Sequence, residues 1–247
     1  MIIESDAAGI QGYGNFGTSN SPIGALEITS GKQGILVNSS KATDTAFYVS
    51  NLTINAGDDA MQFTKKANTI IADNLDITKA ASPINVSGAS TKAFIDVTNL
   101  NISNVTEAIR VVGGGSLELE ADSGNVKSDI VVGEIREGKT SSTGNAKLIF
   151  GQGIVLDGKI ITDERIISDK ASSTNLDFSG TWNMTEASSL TDATFNSGSS
   201  LVIEGATFAK DTGIYALNGV GNNATLTVND GAKLTVKGID YNTYNIA

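Results

Sequence analysis

Residues 51–54 read NLTI, and the same pattern returns as NLDI at 74–77 and as NLNI at 99–102, with ALEI at 25–28 before it. The three copies that begin with Asn stand 23 and 25 residues apart. A repeat with a period between about 20 and 50 residues is the sequence signature of solenoid proteins. The spacing therefore directs the interpretation of the whole chain.

Two further columns of apolar residues follow the same period. In each of them a second apolar residue stands two positions later, which is the alternation of a strand with one buried face. One column contains Ile35, Met61, Ile84 and Ile109, and the other contains Phe47, Ile70, Ile95 and Leu117. Because three columns share one drifting period, they predict three short strands in each repeat.

This repeat predicts an all-β fold, a parallel β-helix whose rungs stack at the strand spacing of about 4.8 Å. The chain of 247 residues would then form about ten rungs. A β-sandwich is the competing architecture, but its strands would recur every 8 to 12 residues without a longer period. We expect a lead-in or cap at 1–22, rungs at 23–178 with a polar loop near 134–145, and carboxy-terminal rungs at 179–247.

An asparagine stands directly before the strand in several repeats. The column that we predict consists of Asn51, Asn74, Asn99 and Asn175, and Asn125 keeps it in a looser copy. Asn tolerates the left-handed backbone conformation that a sharp bend needs. Stacked side-chain amides can also hydrogen-bond along the column. We therefore expect these residues to have a structural role.

The composition excludes several kinds of chemistry. The chain has no His and no Cys, which removes Ser–His–Asp and Cys–His nucleophiles and Cys/His zinc sites. Its net charge of −10 argues against binding of nucleic acid. Calcium-loop motifs, a long apolar run and a signal peptide are not found in the sequence. We expect no cofactor, no bound metal, no catalytic residue and no membrane span in this segment.

Three residues are candidates for contact with a ligand. Asp58 and Asp59 form a Gly-Asp-Asp element at a rung turn, which resembles an element of pectin-degrading hydrolases, although the Gly-His-Gly and Arg-Ile-Lys elements of that family are absent. Paired carboxylates serve glycoside hydrolysis or calcium contact, whereas a solvated turn is the simpler interpretation. Trp182 is the only Trp, and we expect it to be a core or cap aromatic, with stacking on a sugar as the alternative.

The last third of the chain carries a more specific signal. From residue 179 it reads SGTWNMTEASSLTDATFNSGSSLVIEGATF, and from residue 222 NNATLTVNDGAKLTVKG. This order of steps and turns resembles the late passenger region of Gram-negative type V autotransporters, the self-associating and AIDA-type adhesins in particular, most clearly over 177–237. The resemblance implies a right-handed β-helix, secretion to the bacterial cell surface, and an outer-membrane barrel downstream in the full-length chain.

The same resemblance implies that Trp182, Leu201 and Leu226 lie in rungs that nucleate folding. It also implies an adhesin with a part in virulence and biofilm formation, whose partner is a host surface ligand or another copy of itself. We therefore expect a non-catalytic adhesin. The alternatives from other classes are a carbohydrate-active β-helix enzyme that uses carboxylates and a phage tail-fibre segment, which would be an obligate trimer.

Overall fold

The computed structural model describes residues 1–12, 14–38, 44–133, 142–163, 171–203, 217–219 and 225–236. Most of the polar loop expected near 134–145 lies outside these residues. Within them the regular elements are strands, as the alternating apolar residues predict. The strands are β1 (Ile2–Ser5), β2 (Ile10–Gln11), β3 (Asn15–Phe16), β4 (Ile23–Ser30), β5 (Ile35–Val37), β6 (Thr45–Ala56), β7 (Asp59–Phe63), β8 (Ala67–Lys79), β9 (Ser82–Ser87), β10 (Lys92–Ile102), β11 (Glu107–Val112), β12 (Gly115–Lys127), β13 (Asp129–Val132), β14 (Gly144–Gly158), β15 (Ile160–Thr162), β16 (Ser173–Phe178), β17 (Thr181–Met184), β18 (Ser188–Leu190), β19 (Asp192–Phe195), β20 (Ser200–Ile203), β21 (Leu217–Gly219), β22 (Thr225–Val228) and β23 (Lys233–Val236).

The strands stack in parallel as a β-solenoid of about six turns. A 14-stranded sheet, here called sheet A, contains the long strands from β4 to β14, and a seven-stranded sheet B contains the short strands between them. β18 and β21 form a separate pair. The all-β class and the parallel stacking are confirmed, whereas the expected count of ten rungs is not.

The pairing of strands follows the columns found in the sequence. Leu52 pairs with Leu75, and Leu75 with Leu100, so the leucines of the repeated tetrapeptide form one buried ladder. In sheet B the ladder runs through Ile35, Met61, Ile84 and Ile109. No rung can bury its inner face alone, and the stacking supplies the missing partner surface.

Each long strand of sheet A carries two of the three predicted columns. In β6, Phe47 and Val49 point inward, and after the corner Leu52 and Ile54 point inward, so the alternation changes phase at Ser50 and Asn51. The backbone remains paired through this corner. Three separate strands per rung were expected, but the corner is a bend within a continuous strand.

The column of Phe47, Ile70 and Ile95 is confirmed, but its last member, Leu117, was placed two residues out of register. Ile95 pairs with Leu119, and Leu117 pairs with Ala93, so the expected pairing of Ile95 with Leu117 is wrong. Leu117 and Leu119 lie on the same face of β12 and are both buried. Hydrophobic periodicity cannot distinguish two registers that differ by two residues, because both keep the same face inward.

The core changes character along the solenoid. Its first part is filled mainly by aliphatic ladders, whereas Phe150, Phe178, Trp182 and Phe195 form a cluster of rings further on. At the other end, β1, β2 and β3 pair with β4, β5 and β6, so that residues 1–22 contribute strands to the stack. Phe16 stacks on Phe47 with ring centroids 4.6 Å apart.

Candidate binding surface

The Asn column lies at the outer corner of sheet A. Asn51, Asn74 and Asn99 occupy paired positions in consecutive rungs. Asn74 Nδ2 donates to Asn51 Oδ1 at 2.8 Å, Asn99 Nδ2 donates to Asn74 Oδ1 at 3.3 Å, and Asn51 Nδ2 donates to the Gly24 carbonyl oxygen at 3.1 Å. The side-chain amides therefore form a hydrogen-bonded ladder on the outer surface, which we call the corner ladder.

A second ladder runs beside the first, two residues further along each strand. Asn101 Nδ2 donates to Asp76 Oδ1 at 2.9 Å, and the backbone N–H of Asn125 donates to Asn101 Oδ1 at 3.2 Å. Asn125 therefore belongs to this second ladder and not to the column of Asn51, since Gly124 occupies the leucine position of its repeat. We call the side chains of Asp76, Asn101 and Asn125 the strand ladder.

Asn175 lies in a different column from the other predicted asparagines. It pairs with Lys147, and Leu176 pairs with Leu148, in the half of the sheet that precedes the corner. The expectation that Asn175 continues the column of Asn51 is therefore incorrect. Its NLDF sequence resembles NLDI because both segments alternate in the same way, and alternation alone does not identify the half of the strand.

The backbone at the corner is not left-handed. Among the described residues, the non-glycine positions with positive φ are Lys66 and Asn104, so the asparagines of the corner ladder bend without that conformation. Of the two expected reasons for Asn at these positions, the left-handed conformation is wrong and the hydrogen bonding of stacked amides is confirmed. Hydrogen bonding between the stacked amides accounts for them instead.

The two predicted carboxylates differ in their environments. Asp58 is exposed, and its backbone joins the stack, because its N–H donates to the Lys32 carbonyl oxygen and its carbonyl accepts from Ala81 N–H. Asp59 begins β7 and is only 8% exposed. The Gly-Asp-Asp element thus presents one solvated and one buried carboxylate.

Amides from two rungs enclose the buried carboxylate. Gln62 Nε2 donates to Asp59 Oδ2 at 2.7 Å, and Asn85 Nδ2 donates to the same oxygen at 2.8 Å. Burial raises the pKa of Asp59, while these two hydrogen bonds and the charge of Arg110 act in the opposite direction. The group therefore holds its proton to a higher pH than an ordinary Asp, and its position is fixed by neighbours rather than open to a ligand.

Trp182 is fully buried in β17. Its Nε1–H donates to the Gly158 carbonyl oxygen at 2.9 Å, and its ring centroid lies 6.3 Å from that of Phe178 and 6.3 Å from that of Phe195. This is the placement expected of a core aromatic, and the ring has no free face for stacking on a sugar. Leu201 is 8% exposed in the neighbouring strand β20, whereas Leu226 in β22 is 58% exposed.

Two lysines, Lys147 and Lys159, are paired with carboxylates of neighbouring rungs. Lys147 Nζ lies 2.6 Å from Glu118 Oε1, and this hydrogen bond raises the pKa of Lys147. Lys159 lies between Asp129 and Glu186, and its hydrogen bond to Glu186 raises the pKa of Lys159. Such exposed pairs contribute little stability, but they neutralise part of the acidic surface.

A groove that sequence reasoning did not identify lies beside the corner ladder. It has a volume of about 170 Å³. Its lining is formed by Ser19, Pro22, Tyr48, Val49, Ser50, Ile71, Ala72 and Asp73. The alternation of β6 could have placed Tyr48 outside, because Phe47 and Val49 on either side point inward. Nothing in the repeat indicated that the turn near Ser19 would cover it.

Comparisons of the chain with protein-family models, with curated protein sequences and with solved structures find no match. In the part of the chain that the structure describes, no cluster of three or more Asp, Glu, His or Cys side chains is placed to hold a metal ion. The described residues also contain no helix with the length and apolar character needed to span a membrane.

Proposed function

We propose that this protein is a non-catalytic adhesin of the bacterial cell surface, the passenger segment of an autotransporter, and that it acts by associating with further copies of itself. Its solenoid would be right-handed, as crossovers between parallel strands are in almost all proteins. The resemblance of the last third to autotransporter passengers supports the cellular location. The outer surface supports the mode of binding.

The observation that carries the proposal is the pair of polar ladders in adjacent columns. An Asn side chain can donate two hydrogen bonds and accept two, and each bond within a ladder uses only one donor and one acceptor. Asn74 thus keeps one N–H and one acceptor position for a partner, and Asn101 keeps one N–H, because its Oδ1 accepts twice from Asn125. Each contact is weak, but a row of equivalent contacts at the rung spacing binds as a multivalent surface.

Charge sets the expected salt dependence of this association. At a net charge of −10, two copies repel each other, and salt screens that repulsion. We expect sedimentation of the purified protein to show dimers or larger species that increase between about 20 mM and about 500 mM NaCl. Aggregation of cells that display the chain should increase in the same range.

The test of the surface is the double substitution Asn74→Ala and Asn101→Ala, with Asn175→Ala as the matched control. Asn175 is exposed and lies outside both ladders. We expect association to be lost in the double variant and retained in the control, with unchanged circular dichroism in both. A stable trimer at all salt concentrations would favour the fibre segment instead, and association that ignores both salt and the ladder substitutions would refute the proposal.

A further inference from the structure

A hydrogen-bonded turn contributes to the lining of the groove beside the corner ladder. Thr18 and Ser21 are joined by two backbone hydrogen bonds of 3.1 and 3.0 Å, and the Thr18 hydroxyl accepts from Ser21 N–H at 3.0 Å. Gly17 has a φ of 73°, and a Cβ at this position would lie 2.5 Å from the Tyr48 carbonyl oxygen. The turn therefore packs directly against β6, where a larger residue than glycine would not fit.

The floor of the groove is the outer face of β6 and β8. Tyr48 pairs with Ile71 across the two strands, and both side chains are half-buried and point away from the core. Pro22 also lines the groove, and so does Asp73, whose side chain is exposed. The groove thus combines an aromatic ring, an aliphatic side chain and a carboxylate.

Asp73 is the one charged side chain among the described residues that line the groove. Asp96 pairs with Ile71 in the next strand, and Glu120 pairs with Asp96, so two further carboxylates follow at intervals of about 4.8 Å. None of the described residues that line the groove is Lys or Arg. A cation is therefore the complementary ligand, since it would meet an aromatic ring and the Asp73 carboxylate, with the Asp96 carboxylate in the next strand.

The size of the groove restricts the ligand further. Sites for whole small molecules have volumes of about 300–1,000 Å³, and this groove, at about 170 Å³, is smaller. We propose that the groove binds the side chain of an Arg or Lys from a partner polypeptide, with the charged head against Asp73 and Tyr48. The alkyl part of such a side chain would lie along Ile71, as long basic side chains do on apolar surfaces.

This site is distinct from the proposed self-association surface, because it shares no residue with either ladder. Failure of one proposal therefore leaves the other standing. The groove would serve a second, basic partner, while the ladders serve further copies of the chain.

The test measures binding of a fluorescent, N-acetylated tetra-arginine peptide to the full chain by anisotropy at low salt. An uncharged tetra-citrulline peptide of the same length is the control ligand. We expect saturable binding of the arginine peptide, weaker as salt rises, and no binding of the citrulline peptide. Asp73→Asn should raise the Kd about 5-fold, and Tyr48→Leu should raise it about as much by removing the ring face.

Two matched variants separate a site from general attraction to an acidic protein. Tyr48→Phe keeps the ring and should change the Kd less than about 2-fold. Asp230→Asn removes one exposed carboxylate far along the chain, and it should also change the Kd less than about 2-fold. Equal weakening by Asp73→Asn and Asp230→Asn would overturn the proposal. So would salt-independent binding of a neutral oligosaccharide in the groove.

Discussion

The rungs in residues 23–127 and those in residues 144–236 both stack in parallel, but they differ in strand length and in the spacing of equivalent residues. In the first region the long strands of sheet A have 11 to 13 residues from β6 to β12, and hydrogen bonds between equivalent side chains span 23 to 25 residues. In the second, β14 still has 15 residues, but β16 to β20 have only 3 to 6, and such bonds span 28, 17 and 33 residues.

This difference shows which feature of the solenoid depends on a constant number of residues between equivalent positions in successive rungs. The outer position that carries Asp76, Asn101 and Asn125 in the first region continues into Val155 and Thr181 in the second. The hydrogen-bonded ladder therefore ends where the step changes. The core continues through both regions, because packing requires apolar volume rather than identical residues. A constant spacing therefore keeps one residue type at one outer position, whereas Ser179, Asn196 and Asn229 remain hydrogen-bonded across spacings of 17 and 33 residues.

The largest expected effect tests the aromatic core of the second region. Trp182→Ala would remove the largest fully buried side chain and leave a cavity between Phe178 and Phe195. We expect a loss of about 3–5 kcal/mol in the free energy of unfolding. Urea denaturation followed by far-ultraviolet circular dichroism measures this loss.

Two companion variants show whether the ring cluster itself contributes to the free energy of unfolding. Trp182→Phe keeps an aromatic ring but leaves the Gly158 carbonyl without its donor, so it should cost about 1–3 kcal/mol. Ile95→Val in the aliphatic ladder of the first region should cost about 0.5–1.5 kcal/mol. If Trp182→Ala lowers the free energy of unfolding no more than Ile95→Val does, the ring cluster contributes no more to stability than the aliphatic ladder.

A smaller effect is expected at the end of the first region. Gly124 occupies the buried column after Leu52, Leu75 and Leu100, with a φ of 120°, and a Cβ there would lie 2.0 Å from the Leu100 carbonyl oxygen. Gly124→Ala should therefore cost about 2 kcal/mol in the same denaturation experiment.

Gly24→Ala is the matched control for Gly124→Ala. A Cβ at Gly24 meets no atom within 4 Å, and its φ is ordinary. This change should stabilise the chain by about 0.5 kcal/mol, because it restricts the unfolded state. Equal effects of the two substitutions would mean that the backbone at Gly124 moves to admit a side chain.

The regular part of the fold could be predicted from the sequence, because the leucines at 52, 75 and 100 repeat both their chemistry and their spacing. The prediction was wrong where either the residue type or the spacing changed. Gly124 interrupts the leucine column, which displaced Asn125 by two residues, and the changed step beyond it placed Asn175 in the wrong column. A repeat that is recognised by residue type cannot assign the position of a strand once both the residue types and the spacing change.

The surface was harder to predict than the core. The corner ladder follows from the repeat, because Asn51, Asn74 and Asn99 share one phase. The groove does not follow, since the turn near Ser19 reaches Tyr48 by a path that has no periodic signal. The environment of Asp59 also depends on a residue in the next rung, so its burial could not be read from neighbours in the sequence.

The smallest expected effect is a change of stability with pH in the first region. Its constant step places Asn85 opposite Gln62, which brings both amides to the carboxylate of Asp59. Burial raises the pKa of Asp59 in the folded chain above its value in the unfolded chain. The unfolded chain therefore loses this proton at lower pH than the folded chain does. The stability that Asp59 contributes is complete below the unfolded pKa and is lost as the pH rises through the folded pKa.

Asp59→Asn isolates this contribution, because the amide stays neutral at every pH and its Oδ1 can still accept a hydrogen bond. The free energy of unfolding of the original chain, minus that of the variant, should fall as the pH rises from about 3 to about 7. Urea denaturation of both proteins across this range measures the difference, and ¹³C NMR titration of the Asp59 carboxyl reports the pKa directly. Parallel stability profiles would mean that the two hydrogen bonds to the carboxylate fully offset its burial. In that case the regular stacking of the first region would accommodate a buried charge as readily as it does the neutral amides of its ladders.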